Sequence, residues 1–203
     1  MAAILPLMPS GNRNPIYNPR MATTALVSAE DFALVARVLG PCELVRGEIV
    51  PVSPGGIRHS RVTSRAVALL EAHCRPRRLG RVLAGEAGVV IRRRPDTVRG
   101  ADVAFISYDR LPVDASDEGF LEQPPELVIE VLGKDVSWEK IEEKVAEYHE
   151  FGVNLVWVLD PHTLTLRAYP RGTAAVVLRD SDTATADPHV PGFAVRVGEF
   201  FAE

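Results

Sequence analysis

Between Pro124 and Pro161 the apolar positions change period twice. The run ELVIEVL is almost continuously apolar, with Glu130 in its interior, and predicts a strand buried on both faces. SWEKIEEKVAEYHEFGV then sets Ile141, Val145 and Tyr148 on one face of a helix from about Ser137 to Phe151. Gly152 suits the left-handed residue that closes such a helix. NLVWVLD returns to an apolar strand and ends in Asp160-Pro161, a turn.

The same reading extends to both sides. Ser28 to Leu39 predicts a short helix capped by Ser28, with Asp31 in the capping-box position and Gly40-Pro41 as its stop. CELVRGEIVPVSP alternates around Arg46-Gly47 and predicts a hairpin whose second strand carries Glu48. A helical period runs from His59 to Cys74, and Gly80 ends that region. RVLAGEAGVVIRR predicts a strand pair or a bent strand, with Gly85 and Gly88 at turns or close approaches. ADVAFIS is a strand, Tyr108 to Gln123 an acidic loop. TLRAYP and AAVVL add strands, and Phe193 to Phe200 an edge strand with a packing tail. The predicted fold is α/β: a mixed β-sheet flanked by helices, with an N-terminal helix and β-hairpin.

Composition narrows the class. The 203 residues are 46% apolar and 25% charged, as in ordinary globular proteins. No window approaches the roughly 18 uninterrupted apolar residues of a membrane span. The opening AAILPLM is broken by Pro6 and has no basic residues before it, so no secretory signal is expected. Residues 1–24 are expected to be a disordered extension, with Met21 a possible start, and 25–203 a single domain. Cys42 and Cys74 match no metal spacing and read as reduced thiols of a cytoplasmic protein. The net charge of −4 argues against a protein that coats nucleic acid. Arginines nevertheless crowd between Arg58 and Arg99, while acids concentrate between Asp114 and Glu150.

One acid changes the picture. A carboxylate inside an apolar strand is costly unless it is paired or bound to metal, and Glu130 is such a residue. Asp102 stands near the start of another strand. Two carboxylates at matched height can share Mg²⁺ or Mn²⁺, and a lysine can then orient water or offset charge on a phosphodiester. Glu48 is a third candidate ligand, and His59 a candidate ligand or acid–base group. Glu86, between glycines, could reach the same place or only decorate a turn. Tyr148 and Trp157 lie on apolar stripes and read as core aromatics.

PPELVIEVLGKD…EEKVAEYHEFGVNLVWVLDP, with LVRGEIVPVSP, His59, GEAGVVI and RGADVAFIS, resembles the Uma2 family over about Ser28 to Tyr169. That resemblance implies a restriction-endonuclease-like core of the PD…(D/E)xK type. It also implies a metal-dependent endonuclease acting on DNA, with Mg²⁺ or Mn²⁺ as cofactor, no membrane partner, and a homodimer as the working form. Asp102 and Glu130 fall on the metal-binding acids of the pattern, and Lys144 on a lysine of its helix. Glu48 and His59 match polar positions near the site. Two departures stand out. Ala101 replaces the proline, and Leu132 occupies the place of the strand lysine, so the lysine must come from Lys144, Lys134 or Lys140. The rival reading is a catalytically inactive nucleic-acid-binding or regulatory module with the same fold. A Lys144 ammonium aimed at solvent would favour it.

Overall fold

Helices and strands follow these periodicities in a computed structural model, which describes residues 26–134 and 136–203. The extension expected over 1–24 lies outside the described residues. Helix α1 (Ala29–Leu39) begins at Ser28, whose side chain accepts from the Asp31 amide. The hairpin β1 (Cys42–Val45) and β2 (Glu48–Pro51) turns through Arg46 and Gly47, both at positive φ. Helix α2 (Ile57–Arg77) is longer at both ends than its apolar period, and takes Pro76 into its last turn.

RVLAGEAGVVIRR forms the bent strand rather than a strand pair. It is β3 (Gly80–Arg92), antiparallel to β4 (Thr97–Ser107) along almost its full length. The ladder jumps from Ala84↔Val103 to Ala87↔Ala101, so Gly85 and Glu86 bulge out opposite Asp102. Both bulge residues have positive φ, the geometry that re-aims a side chain at such a site. The loop expected over Tyr108 to Gln123 precedes β5 (Leu127–Val131). Helix α3 (Trp138–Phe151) then crosses to β6 (Leu155–Asp160), which pairs parallel to β5. Strands β7 (Thr165–Pro170) and β8 (Val176–Leu178) finish the main sheet, in the order β2-β1-β4-β5-β6-β7-β8 with β3 on β4.

The C-terminal segment keeps its expected strand and packing tail but departs from expectation in its pairing. It does not edge the main sheet. Instead β9 (Thr183–Thr185) and β10 (Ala194–Arg196) make a separate two-stranded ribbon, followed by a 3-10 turn at Val197–Phe200. The reason is burial: Phe193, Val197 and Phe200 join the core beneath α2.

Alternation in β5 sorts its side chains between two cores. Leu127, Ile129 and Val131 pack with Val62, Ala66 and Leu70 of α2. Val128 and Leu132 pack with Ile141, Val145 and Tyr148 of α3. Glu130 lies between Val128 and Leu132 in this alternation, so it points at α3. Among the described residues no helix is long and apolar enough to cross a membrane.

Candidate active site

The site lies where β4 changes partners. Its first residues pair with β1 at Leu44↔Val98, and its last with β5 from Val103↔Ile129 onward. Residues 99–102 lie between these two ladders. Backbone groups without a strand partner must find another one. Side chains supply it: the Gly100 amide donates to Glu43 Oε1 at 3.0 Å, and the Gly100 carbonyl accepts from Lys144 Nζ at 2.8 Å.

Continuing the β4–β5 register by one residue sets Asp102 opposite Glu130. Asp102 Oδ2 accepts from the Val131 amide at 2.7 Å and lies 3.2 Å from His59 Nε2. His59 stands in the first turn of α2, packed against Gly55, where a Cβ would come within 2.6 Å of Nδ1. The hydrogen bond to Asp102 raises the His59 pKa, outweighing the opposite effect of burial.

Glu130 is 4% exposed, and both its oxygens are engaged. Oε2 accepts from Lys144 at 3.0 Å, Oε1 from the Tyr148 hydroxyl at 2.8 Å. Burial pushes its pKa up to about 7, with the Lys144 charge working the other way and Asp102 adding to the rise. Burial opposes the Lys144 charge too, but Glu130 and Glu43 outweigh it and hold the ammonium above the ordinary lysine range. Tyr148 is raised well above the usual phenol range by burial and the Glu130 charge.

The structure brings Asp102, Glu130, Lys144 and His59 together. Glu48 is not brought to them: it is exposed on the outer strand β2, opposite Val45 beside the hairpin turn. Glu43, which sequence reasoning missed, occupies the site from the same hairpin. Its pKa is lowered: burial would raise it, but Lys144 and Arg99 prevail. The available signal was an acid within CELV, but alternation there made it look solvent-facing. Among the three candidate lysines, Lys134 and Lys140 are exposed. Leu132 is buried against α3, so the place of a strand lysine is filled by apolar packing and the ammonium arrives from the helix.

Glu86 completes the cluster. Although exposed as a residue, it turns its carboxylate over Gly100, where a Cβ would stand 2.5 Å from Oε2. Burial of the carboxylate and the nearby Asp102 charge raise its pKa. Carboxylates of Glu43, Glu86, Asp102 and Glu130 thus face Lys144, Arg99 and His59, with Glu147 behind Arg99. Acids outnumber the permanent cations, an imbalance that favours a further positive charge. Among the described residues, no three His, Cys, Asp or Glu side chains converge as a ready-made metal cage.

Comparison with known proteins points the same way. Residues 30–198 match the sequence profile of Uma2, described as "Putative restriction endonuclease". No curated protein matches the chain. A solved structure titled as a "putative nuclease belonging to DUF820", from Anabaena variabilis ATCC 29413, is similar with a TM-score of 0.73 and 18% identity. The match covers 86% of this chain and 97% of that one.

Proposed function

Because the chain belongs to the Uma2 family of restriction-endonuclease-like proteins, we propose that it is a metal-dependent endonuclease that hydrolyses DNA phosphodiester bonds. One observation carries the reading: the Lys144 ammonium lies 3.0 Å from Glu130, which faces Asp102 across adjacent strands. The helix lysine is therefore inside the site, which weighs against the inactive binding module.

The donors fit Mg²⁺ or Mn²⁺. They are hard oxygens, and Mg²⁺ binds through one or two carboxylates while keeping several waters, so a full protein cage is not needed. Asp102 and Glu130 would hold the ion through their carboxylates. When bound, the ion lowers the pKa of a water and polarises the phosphate. Lys144 contributes a fixed positive charge beside the phosphoryl oxygens, where negative charge builds up during attack. Tyr148 keeps Glu130 oriented by occupying Oε1. His59 fixes the rotamer of Asp102 from α2 through Nε2. Exposed arginines of α2 offer sequence-independent contacts to the backbone. A homodimer in the cytoplasm, one site for each strand, completes the reading.

Nicking of supercoiled plasmid tests it, with wild type beside Glu130→Ala. Cleavage should require Mg²⁺ or Mn²⁺ and fall at least about a hundredfold in the variant. Cleavage that survives the substitution would remove Glu130 from the site. Its absence from wild type under either metal would sink the endonuclease reading.

A further inference from the structure

A lysine on a strand takes its aim from the strand. One on a helix must be aimed by something else, because four rotatable bonds carry about 2 kcal/mol of rotamer entropy. In this molecule the aiming groups can be traced. Extending the β1–β4 register by one residue past Leu44↔Val98 sets Glu43 beside Arg99. Leu44 and Val98 turn into the core with Phe32 of α1, so Glu43 and Arg99 face the other way, toward α3.

Every contact then closes a circuit. Glu43 Oε1 takes the Gly100 amide and lies 3.1 Å from Lys144 Nζ. Glu43 Oε2 accepts from Arg99 Nη1 at 2.7 Å. The other side of the guanidinium, through Nε and Nη2, rests on Glu147 Oε2 at 2.7 Å. Lys144 and Glu147 are three residues apart on α3, so they share one helical face. A single turn of the helix is thus gripped twice, from the adjacent strands β1 and β4. The ammonium donates to the Gly100 carbonyl and Glu130, and its ion pair with Glu43 holds it from a third side.

We propose that Glu43 and Arg99 are positioning residues, which aim the Lys144 ammonium at Glu130 through a closed circuit of buried ion pairs ending on Glu147. The proposal rests on the reading of Lys144 as the lysine of the site. It assigns the circuit the work that a strand lysine would do unaided at position 132.

Two readouts on the full chain separate this from a merely structural role. The first needs no activity: Lys144 is labelled with an amine-acylating ester and quantified by peptide mass spectrometry, with exposed Lys140 as internal reference. Glu43→Gln and Arg99→Met should speed Lys144 labelling at least about tenfold while leaving Lys140 unchanged. Arg99→Lys should behave like Arg99→Met, because it keeps the charge but not the two-sided fork. The second readout is plasmid nicking, where kcat should fall about a hundredfold, the cost of misplacing a group by about an ångström, and KM should barely move. Should Glu43→Gln fail to fold, Glu147→Gln opens the circuit at its outer end and is read in the same way. Wild-type labelling of Lys144 in folded Glu43→Gln or Glu147→Gln would overturn the proposal. So would an Arg99→Lys variant indistinguishable from wild type. If wild type does not cleave at all, the endonuclease reading fails by itself, and labelling still decides the circuit.

Discussion

Lys144 is the residue on which most of the site's electrostatics turns. Replacing it with Met leaves Glu43 and Glu130 buried without their shared cation. Removing one partner of a buried ion pair costs about 3–5 kcal/mol, so urea denaturation of Lys144→Met should show a loss of that order. The loss should be larger at about pH 8 than at about pH 5, because protonation of Glu130 relieves the uncompensated charge. His59 gives a second pH test. Its folded pKa lies above the ordinary 6.5, so its contribution is complete below that value and fades as pH rises through the folded pKa. The melting temperature of wild type should exceed that of His59→Asn in mildly acidic buffer, and the gap should close toward alkaline pH. These residues were unequally legible. Glu130 announced itself as an acid in an apolar strand. Glu43 and Arg99 did not: one sits at an alternating position, the other close to a run of arginines, and only the split in β4 reveals their roles.

At the scale of elements, periodicity predicted the helices and most strands because local burial dictates both. Strand order was not legible, since β1 and β5 reach β4 through pairings remote in sequence. Strand β9 and the pairing that makes a C-terminal ribbon were missed for a related reason. The ribbon's strands are three residues each, too short to show a period. The bulge in β3 was half legible, with Gly85 flagging it and only the register showing that it faces Asp102. Gly80 makes a sharper test of the β3–β4 hairpin, because a Cβ there would come within 2.1 Å of the Ile106 carbonyl oxygen. Backbone cannot yield as a side chain can. Gly80→Ala should therefore lower the urea midpoint by the equivalent of about 1–3 kcal/mol with an unchanged slope.

For the whole molecule, charge poses the main problem. On the proposed endonuclease reading, a protein of net charge −4 with an acidic cluster at its site would have to approach a polyanion. Phosphates are repelled by the cluster until a divalent cation offsets it. Duplex affinity, measured by fluorescence anisotropy, should rise at least about tenfold when EDTA is replaced by Ca²⁺, and fall as salt increases. Equal affinity with and without the cation would mean that DNA does not approach this cluster.

The split in β4 also bears on how the protein is made. Synthesis delivers Asp102 and Glu130 before the helix that brings Lys144 and Tyr148. On the ribosome, the gap beside Gly100 stays unfilled until residues near 148 have emerged and α3 has docked. An incomplete chain that stops short of α3 therefore carries the two acids without the ammonium that neutralises them.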